Sequence, residues 1–435
     1  MIRRLAAACL AAPLALLLGL PAAAQTLSPE EARGAVAEVA KLIRERYVAP
    51  ELKEPIAGKL EQALGVGRYA VSSPLDLADR VTEDLQAAGR DGHLGLSWDP
   101  AVHARLKAGN AEDGGGAELY AEEARRANHG LEEMAILDGN VRYLRIKSFY
   151  WQPDATGSAY DAAMRFLRDG EAVIIDLRGN NGGSTSAVRY AISHFMPGAP
   201  ERLMMTFQGD DGAPDQSRVL GHLPAGRVTG KPLLVLVDGN AASAAEEFAY
   251  HVQQFRLGTL VGARTAGGAN NNALFPVGTG FVASVSVYRP IHAVSGGNWE
   301  GTGVAPDVAT EPGRALAAAH VQALETLAKR TGEARFAWAL TAARAELNPP
   351  RPSPAELARY AGRYGERTVR AEGGALFYKR EGRAEVAMRP LGGDLFALEG
   401  SRSSRIRFRM DGGRAMALEV LQEDGGSAAH PRTSR

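Results

Sequence analysis

Only one cysteine, Cys9, occurs in 435 residues. That excludes a disulfide framework and a cysteine-ligated metal site. Excess charge of either sign is also missing, since 50 Lys and Arg face 50 Asp and Glu. The balance excludes a generally basic nucleic-acid binder and a chain built around a polyanionic tail. No segment beyond residue 24 is long and apolar enough to span a bilayer. No Gly-Lys-Ser/Thr follows a glycine-rich turn, and Gly-x-Gly-x-x-Gly does not occur, which argues against a phosphate loop. No His-x-x-x-His pair occurs, which disfavours a metal hydrolase. No tandem repeat indicates a solenoid. What is present is a chain 45% hydrophobic, enough to bury a sizeable core. Its length allows roughly two to four domains. Its 50 glycines imply many turns and close backbone approaches.

Residues 1–24 read as a secretory signal. Arg3 and Arg4 supply the positive end, an apolar stretch runs from Leu5 to Leu18, and Ala22-Ala23-Ala24 gives a small-residue cleavage site. Export to the periplasm or beyond is the expectation. Cleavage removes Cys9 and both arginines, leaving a cysteine-free protein held by packing alone.

The remainder divides into five parts. Residues 25–100 are helical in pattern and predict a small bundle, with helices expected at 29–47, 55–64 and 74–88. Residues 101–310 hold an α/β core, although 92–128 reads as an irregular surface connection with some structure of its own. Val141 to Ile146 alternates as a strand, and Val173-Ile174-Ile175-Asp176-Leu177 and Leu233-Leu234-Val235-Leu236-Val237 read as strands buried on both faces. Helical patterns separate them, which implies βαβ units. Residues 311–349 predict a helical connector, ended by Pro349-Pro350-Arg351-Pro352. Residues 350–425 predict a small antiparallel β domain. Residues 426–435 read as a loose tail.

Four segments carry candidate chemistry. Asp238 to Phe248 takes a buried strand through a small-residue turn into a helix starting near Ser243. Free N–H groups at such a helix start point at developing negative charge, and the Ala244 amide offers half of an oxyanion hole. Ser243-x-x-Glu246 is equally the pattern of a capping box, which needs no catalysis. Asp176 to Ser184 is a second strand-to-helix passage. Its glycines allow close approach of a carbonyl and a second oxyanion donor, or merely a turn capped by Ser184. Asp91-Gly92-His93 offers a general base, although a lone histidine is more often structural. Glu300, in Asn298 to Asp307, offers a carboxylate to orient an imidazole, or an ordinary surface acid.

Taken in order, these segments resemble a family. Tyr143-Leu144-Arg145-Ile146-x-Ser148-Phe149, Asp176 to Gly183, the turn around Ser243, and Gly301-x-Gly303-Val304-x-Pro306-Asp307 are similar to the C-terminal-processing and tricorn-type serine peptidases. The branch most resembled is the one related to interphotoreceptor retinoid-binding protein. The resemblance implies a crotonase- or ClpP-like β/α core, hydrolysis of peptide bonds and no cofactor. It assigns Ser243 as nucleophile, with the backbone of Ala244 and the Gly182-Gly183 pair as oxyanion donors. The processing branch places a lysine some 25 residues after the serine. Here Thr265 to Asn270 contains none, and the tricorn-type pair of histidine and glutamate falls on His93 and Glu300. Two departures stand: Gly92 occupies the place of a serine in tricorn, and no PDZ-like module is evident between His93 and Tyr143. The expected partners are peptides or unfolded proteins, with no nucleic acid and no stable membrane span, and a homo-oligomer is left open. The retinoid-binding relatives imply an alternative, a non-catalytic binding protein for apolar ligands or peptides. A third alternative is an assembly module whose active part is the C-terminal β domain.

Overall fold

The computed structural model describes residues 26–108, 115–198, 201–209 and 214–433; the expected signal at 1–24 lies outside them. Helix starts are written in short-range chemistry. α1 (Pro29–Arg46) begins at Ser28, whose Oγ accepts the Glu31 N–H at 3.2 Å while the Ser28 amide donates to the Glu31 carboxylate at 2.9 Å. Pro29 fits the first turn, where a missing N–H costs nothing. α2 (Pro50–Gly65) starts ahead of the expected Pro55, because Pro50 takes the first-turn position. α3 (Pro74–Gly89) is capped by the Ser73 hydroxyl.

The stretch read as an irregular connection carries regular elements within its described residues, 92–108 and 115–128. It contains β1 (Gly95–Trp98), α4 (Pro100–Lys107) and α5 (Gly115–Arg126). α4 escapes periodicity analysis because it is short and buries only His103. Its start is nevertheless local, with Asp99 accepting the Ala101 and Val102 amides.

The core runs β2 (Leu131–Leu137), β3 (Val141–Ile146), α6 (Pro153–Arg168), β4 (Ala172–Asp176), α7 (Thr185–Ser193), β5 (Leu203–Gly209), β6 (Asp215–Arg218), β7 (Leu233–Val237), α8 (Ala244–Gln254), β8 (Thr259–Gly262), β9 (Asn271–Val277), β10 (Phe281–His292) and β11 (Val308–Ala309). One sheet has the order β11-β8-β7-β4-β3-β2. Every neighbour is parallel except β2 against β3. β4 and β7 are buried throughout, and their residues alternate between two cores. Val173 and Ile175 pack with Tyr160, Met164, Val188 and Phe248 on the face of α6, α7 and α8. Ile174 and Leu234 pack with Leu324 and Phe336 of α9 (Ala315–Thr331) and α10 (Ala334–Leu347) on the other. The helical pair read as a connector is therefore the second layer of the core sheet.

A second sheet has the order β1-β10-β5-β6, with β9 also on β10. Its Phe281, Ala283 and Val285, with Leu96 of β1, pack under the N-terminal bundle, against Val36 and Ile43. After α11 (Pro354–Ala358), eight strands follow in antiparallel sequence: β12 (Gly362–Tyr364), β13 (Arg367–Glu372), β14 (Ala375–Arg380), β15 (Val386–Gly392), β16 (Leu395–Leu398), β17 (Ser404–Asp411), β18 (Arg414–Gln422) and β19 (Ser427–Pro431). Tyr360, Tyr364, Phe396 and Phe408 cluster inside. β19 corrects the expectation of a loose tail. The open edge of β18 pairs it, Leu421 opposite Ser427, because backbone groups on an edge strand bind whatever extended segment reaches them. Thr433 N–H then donates to the Arg363 carbonyl at 2.8 Å, joining the chain end to β12.

Phe336 is fully buried between α9 and the core sheet. Phe336→Ala should destabilise the core by about 3–5 kcal/mol. Urea denaturation followed by tryptophan fluorescence checks this; an unchanged midpoint would contradict the packing.

Candidate active site

Parallel strands end at one edge of the core sheet, and side chains beyond their carboxyl ends converge there. β7 stops at Val237, and the turn through Asp238 delivers Ser243 to the start of α8. Ser243 has φ 54° and ψ −119°, a conformation that residues with a Cβ rarely adopt and that costs of order 1–3 kcal/mol. Its amide donates to Glu246 Oε2 at 3.0 Å, the Glu246 half of a capping box at the start of α8.

The neighbouring strand β4 feeds the Asp176–Ser184 segment. Asn180, fully buried, donates through Nδ2 to the Ile146 carbonyl and accepts the Gly182 amide at 2.8 Å. Its carbonyl accepts the Ala242 N–H, which ties this segment to the Ser243 turn. A Cβ on Gly182, where φ is 107°, would lie 2.7 Å from Ser243 Cβ. Only glycine permits that approach. The glycine pair thus divides. Gly182 contributes fit, and its amide is spent on Asn180, which corrects the expectation of Gly182 as an oxyanion donor. The amides of Gly183 and Ala244 have no protein acceptor among the described residues.

His93 follows α3, where Arg90 turns the chain with φ 50°. The His93 carbonyl accepts the Ser284 hydroxyl of β10 at 2.5 Å, which fixes this segment on the second sheet. His93 Nδ1 lies 3.5 Å from Asp91 Oδ1, and the His93 amide donates to the same oxygen at 2.9 Å. Asp91 is buried and also accepts from Tyr47 OH and Asn270 Nδ2. Glu300 Oε2 accepts the Ala269 and Asn270 amides at 2.7 and 2.8 Å, while its Oε1 is buried without a hydrogen-bond partner. One ligand atom from each of Asp91, His93 and Glu300 lies within 4.8 Å of the others. Those donor types suit a divalent cation and equally an imidazole oriented by carboxylates.

Glu246 joins the two halves. This fully buried carboxylate accepts the Ser243 amide, the Thr265 hydroxyl at 2.5 Å, the Gly267 amide at 2.7 Å and the Gly268 amide at 2.8 Å. Gly268 in turn abuts the histidine, since a Cβ there would sit 2.9 Å from His93 Cε1. Ser243, Ala244, Gly182 and Gly183 therefore form one group and His93, Asp91 and Glu300 another, with the Thr265–Asn270 loop between them. The sequence presents Glu246 only as a cap partner, and Asp91 only as a neighbour of His93. Their long-range roles leave no local signal.

The electrostatics follow from crowding. Burial opposes a charge on His93, but Asp91, Glu300 and Glu246 outweigh it and hold its pKa above the ordinary imidazole value. Burial also opposes the Asp91 carboxylate, yet its polar neighbours His93, Ser286 and Asn270 keep its pKa low. Glu300 is pushed up to about 7, first by burial and then by the Asp91 charge, against the pull of the Asn270 and Ala269 amides. Such displaced values are what packing titratable groups into one low-dielectric site produces. A cavity of about 240 Å³ opens beside Ser243 and Ala244, walled by Gly183, Phe207 and Trp299, with Glu247 in it.

Among known proteins, residues 140–310 match the model of peptidase family S41. The carboxy-terminal-processing protease of Bartonella bacilliformis is 25% identical over 192 residues, 40% of this chain and 40% of that protein. The match thus spans well under two thirds of that curated relative. Among solved structures, a lipoprotein from Streptococcus agalactiae aligns with 69% of this chain and 98% of its own at 15% identity and a TM-score of 0.45. The photosystem II D1 C-terminal processing protease aligns with 65% and 93% at 15% identity and a TM-score of 0.43. The matched segment runs from just before β3 to just after β11 and contains both strand-to-helix turns, and over this segment the chain is similar to peptidase family S41.

Proposed function

We propose that this protein is an exported serine peptidase that cleaves peptides or unfolded proteins through an acyl-enzyme. The observation that carries the reading is Ser243, strained at the head of α8 and pressed against Gly182, with the unpaired amides of Ala244 and Gly183 beside it. A helix capped by an ordinary serine needs neither the strain nor the close glycine.

In this mechanism His93 is the general base. Nδ1 is turned to Asp91, so Nε2 is the atom left to take the Ser243 proton. Asp91 and Glu300 orient the ring and stabilise the imidazolium. Ser243 Oγ attacks the scissile carbonyl, and the charge that develops on its oxygen falls to the Ala244 and Gly183 amides. Collapse of the tetrahedral intermediate breaks the C–N bond, and His93 delivers its proton to the leaving amine. Water, deprotonated by His93, then releases the acyl group and regenerates Ser243. The sequence 1–24 supports export, and the name of the Bartonella relative suggests processing near a carboxyl terminus.

Ser243→Ala should abolish covalent labelling by a fluorophosphonate probe; equal labelling of both proteins would defeat the assignment. Gly182→Ala, which drives a methyl group into Ser243, should slow labelling by roughly 10²-fold while Ser243 remains in place. Only neutral His93 accepts a proton, so activity rises as pH increases through its pKa. That pKa is raised, so the acidic limb of labelling should have its midpoint above 6.5, the unperturbed value. Asp91→Asn removes a negative neighbour and should move the limb to lower pH. A limb that stays put would exclude Asp91 as the partner of His93.

A further inference from the structure

The cavity beside Ser243 contains a group that this mechanism leaves idle. Glu247 is 2% exposed and lines the cavity, and its Oε1 is buried with no hydrogen-bond partner among the described residues. A buried carboxylate oxygen without a donor is destabilising, and a ligand that supplies one removes that cost.

The two imidazoles behind it supply no cation. Val294 N–H donates to His292 Nδ1 at 3.1 Å, so the proton of neutral His292 is on Nε2, facing His251 Nδ1 at 3.1 Å. The His251 proton is then on Nε2, 3.5 Å from Glu247 Oε1, beyond a good hydrogen bond. Burial pushes both imidazoles down to about 3, so they are neutral. No lysine or arginine lines the cavity among the described residues, whereas Ser184, Thr185 and Asn272 add acceptor oxygens. Burial pushes the Glu247 carboxyl up to about 8, which favours its protonated form in the absence of a cation. A cation that enters takes the carboxylate as partner, and the displaced proton leaves to solvent.

We propose that this cavity receives the side chain on the acyl side of the cleaved bond and that Glu247 selects a basic one, lysine or arginine. The inference rests on the peptidase reading above. Ser243, Ala244 and Gly183 line the cavity as well as holding the reacting carbonyl, so the side chain adjoining that carbonyl is the one directed inward. Phe207 and Trp299 flank the aliphatic stem, and the charged end meets Glu247.

The test is digestion of a mixed unstructured peptide library, with cut sites read by mass spectrometry. Wild type should cut preferentially after lysine or arginine. Glu247→Gln should reduce that preference about tenfold or more. Thr185→Lys, on a half-exposed wall position, should do the same by pairing with Glu247. Circular dichroism melting serves as the folding control. In parallel, butylguanidinium should bind wild type and bind Glu247→Gln about tenfold more weakly by calorimetry. Cuts without basic enrichment, or a preference unchanged in both variants, would overturn the inference and leave the peptidase reading standing. Absence of any cut by wild type would overturn that reading and the cleavage preference with it.

Discussion

A carboxylate with no access to water, Glu246, holds the candidate site together by accepting four hydrogen bonds from two chain segments. An isolated buried carboxylate is expensive, and four donors offset that cost. The same bonds do structural work at each end. At one end they secure the Ser243 amide, whose backbone conformation is unfavourable in isolation. At the other they pin the amides of Gly267 and Gly268, which would otherwise need water. Burial pushes the Glu246 pKa upward, against the pull of these donors. The network is therefore strong and at the same time sensitive to the loss of any one partner.

Around that carboxylate the fold brings together two different scaffolds. The serine half grows from β4 and β7, strands buried on both faces and unable to shift without disturbing two cores. The histidine half grows from the junction of α3 and β1, seated on β10 of the other sheet. The Thr265–Asn270 loop bridges the halves through Glu246 on one side and Asn270, which bonds both Asp91 and Glu300, on the other. Orientation of the histidine is thus coupled to packing of the N-terminal bundle, although the bundle lines none of the cavity beside Ser243.

Much of this architecture is readable from local pattern. Ser28 and Glu31 announce α1 through a reciprocal pair three residues apart, and the unbroken apolar runs of β4 and β7 announce strands covered on both sides. Patterns fail where an element buries little. α4 hides one side chain, and β19 is a strand only because β18 offers it an edge. Site residues follow the same rule. Ser243 and the glycine pair stand out because turns have local signatures. Glu246 does not, since the bonds that give it meaning reach some twenty residues along the chain. Gly182 shows a finer limit, because the sequence presents two equivalent glycines and only the Asn180 side chain distinguishes them.

The sequence by itself determined the alternation of strands and helices, the caps, the strand-to-helix turns and the residue types available for acyl transfer. All of these depend on interactions within a few positions of one another. The tertiary structure alone decided that Asp91, His93 and Glu300 meet, that Gly182 spends its amide on Asn180, and that Glu247 lines the cavity beside Ser243 with one carboxylate oxygen buried and unpartnered. Those facts depend on contacts between segments far apart in the chain, whose distances are fixed by how the two cores pack and not by any local propensity.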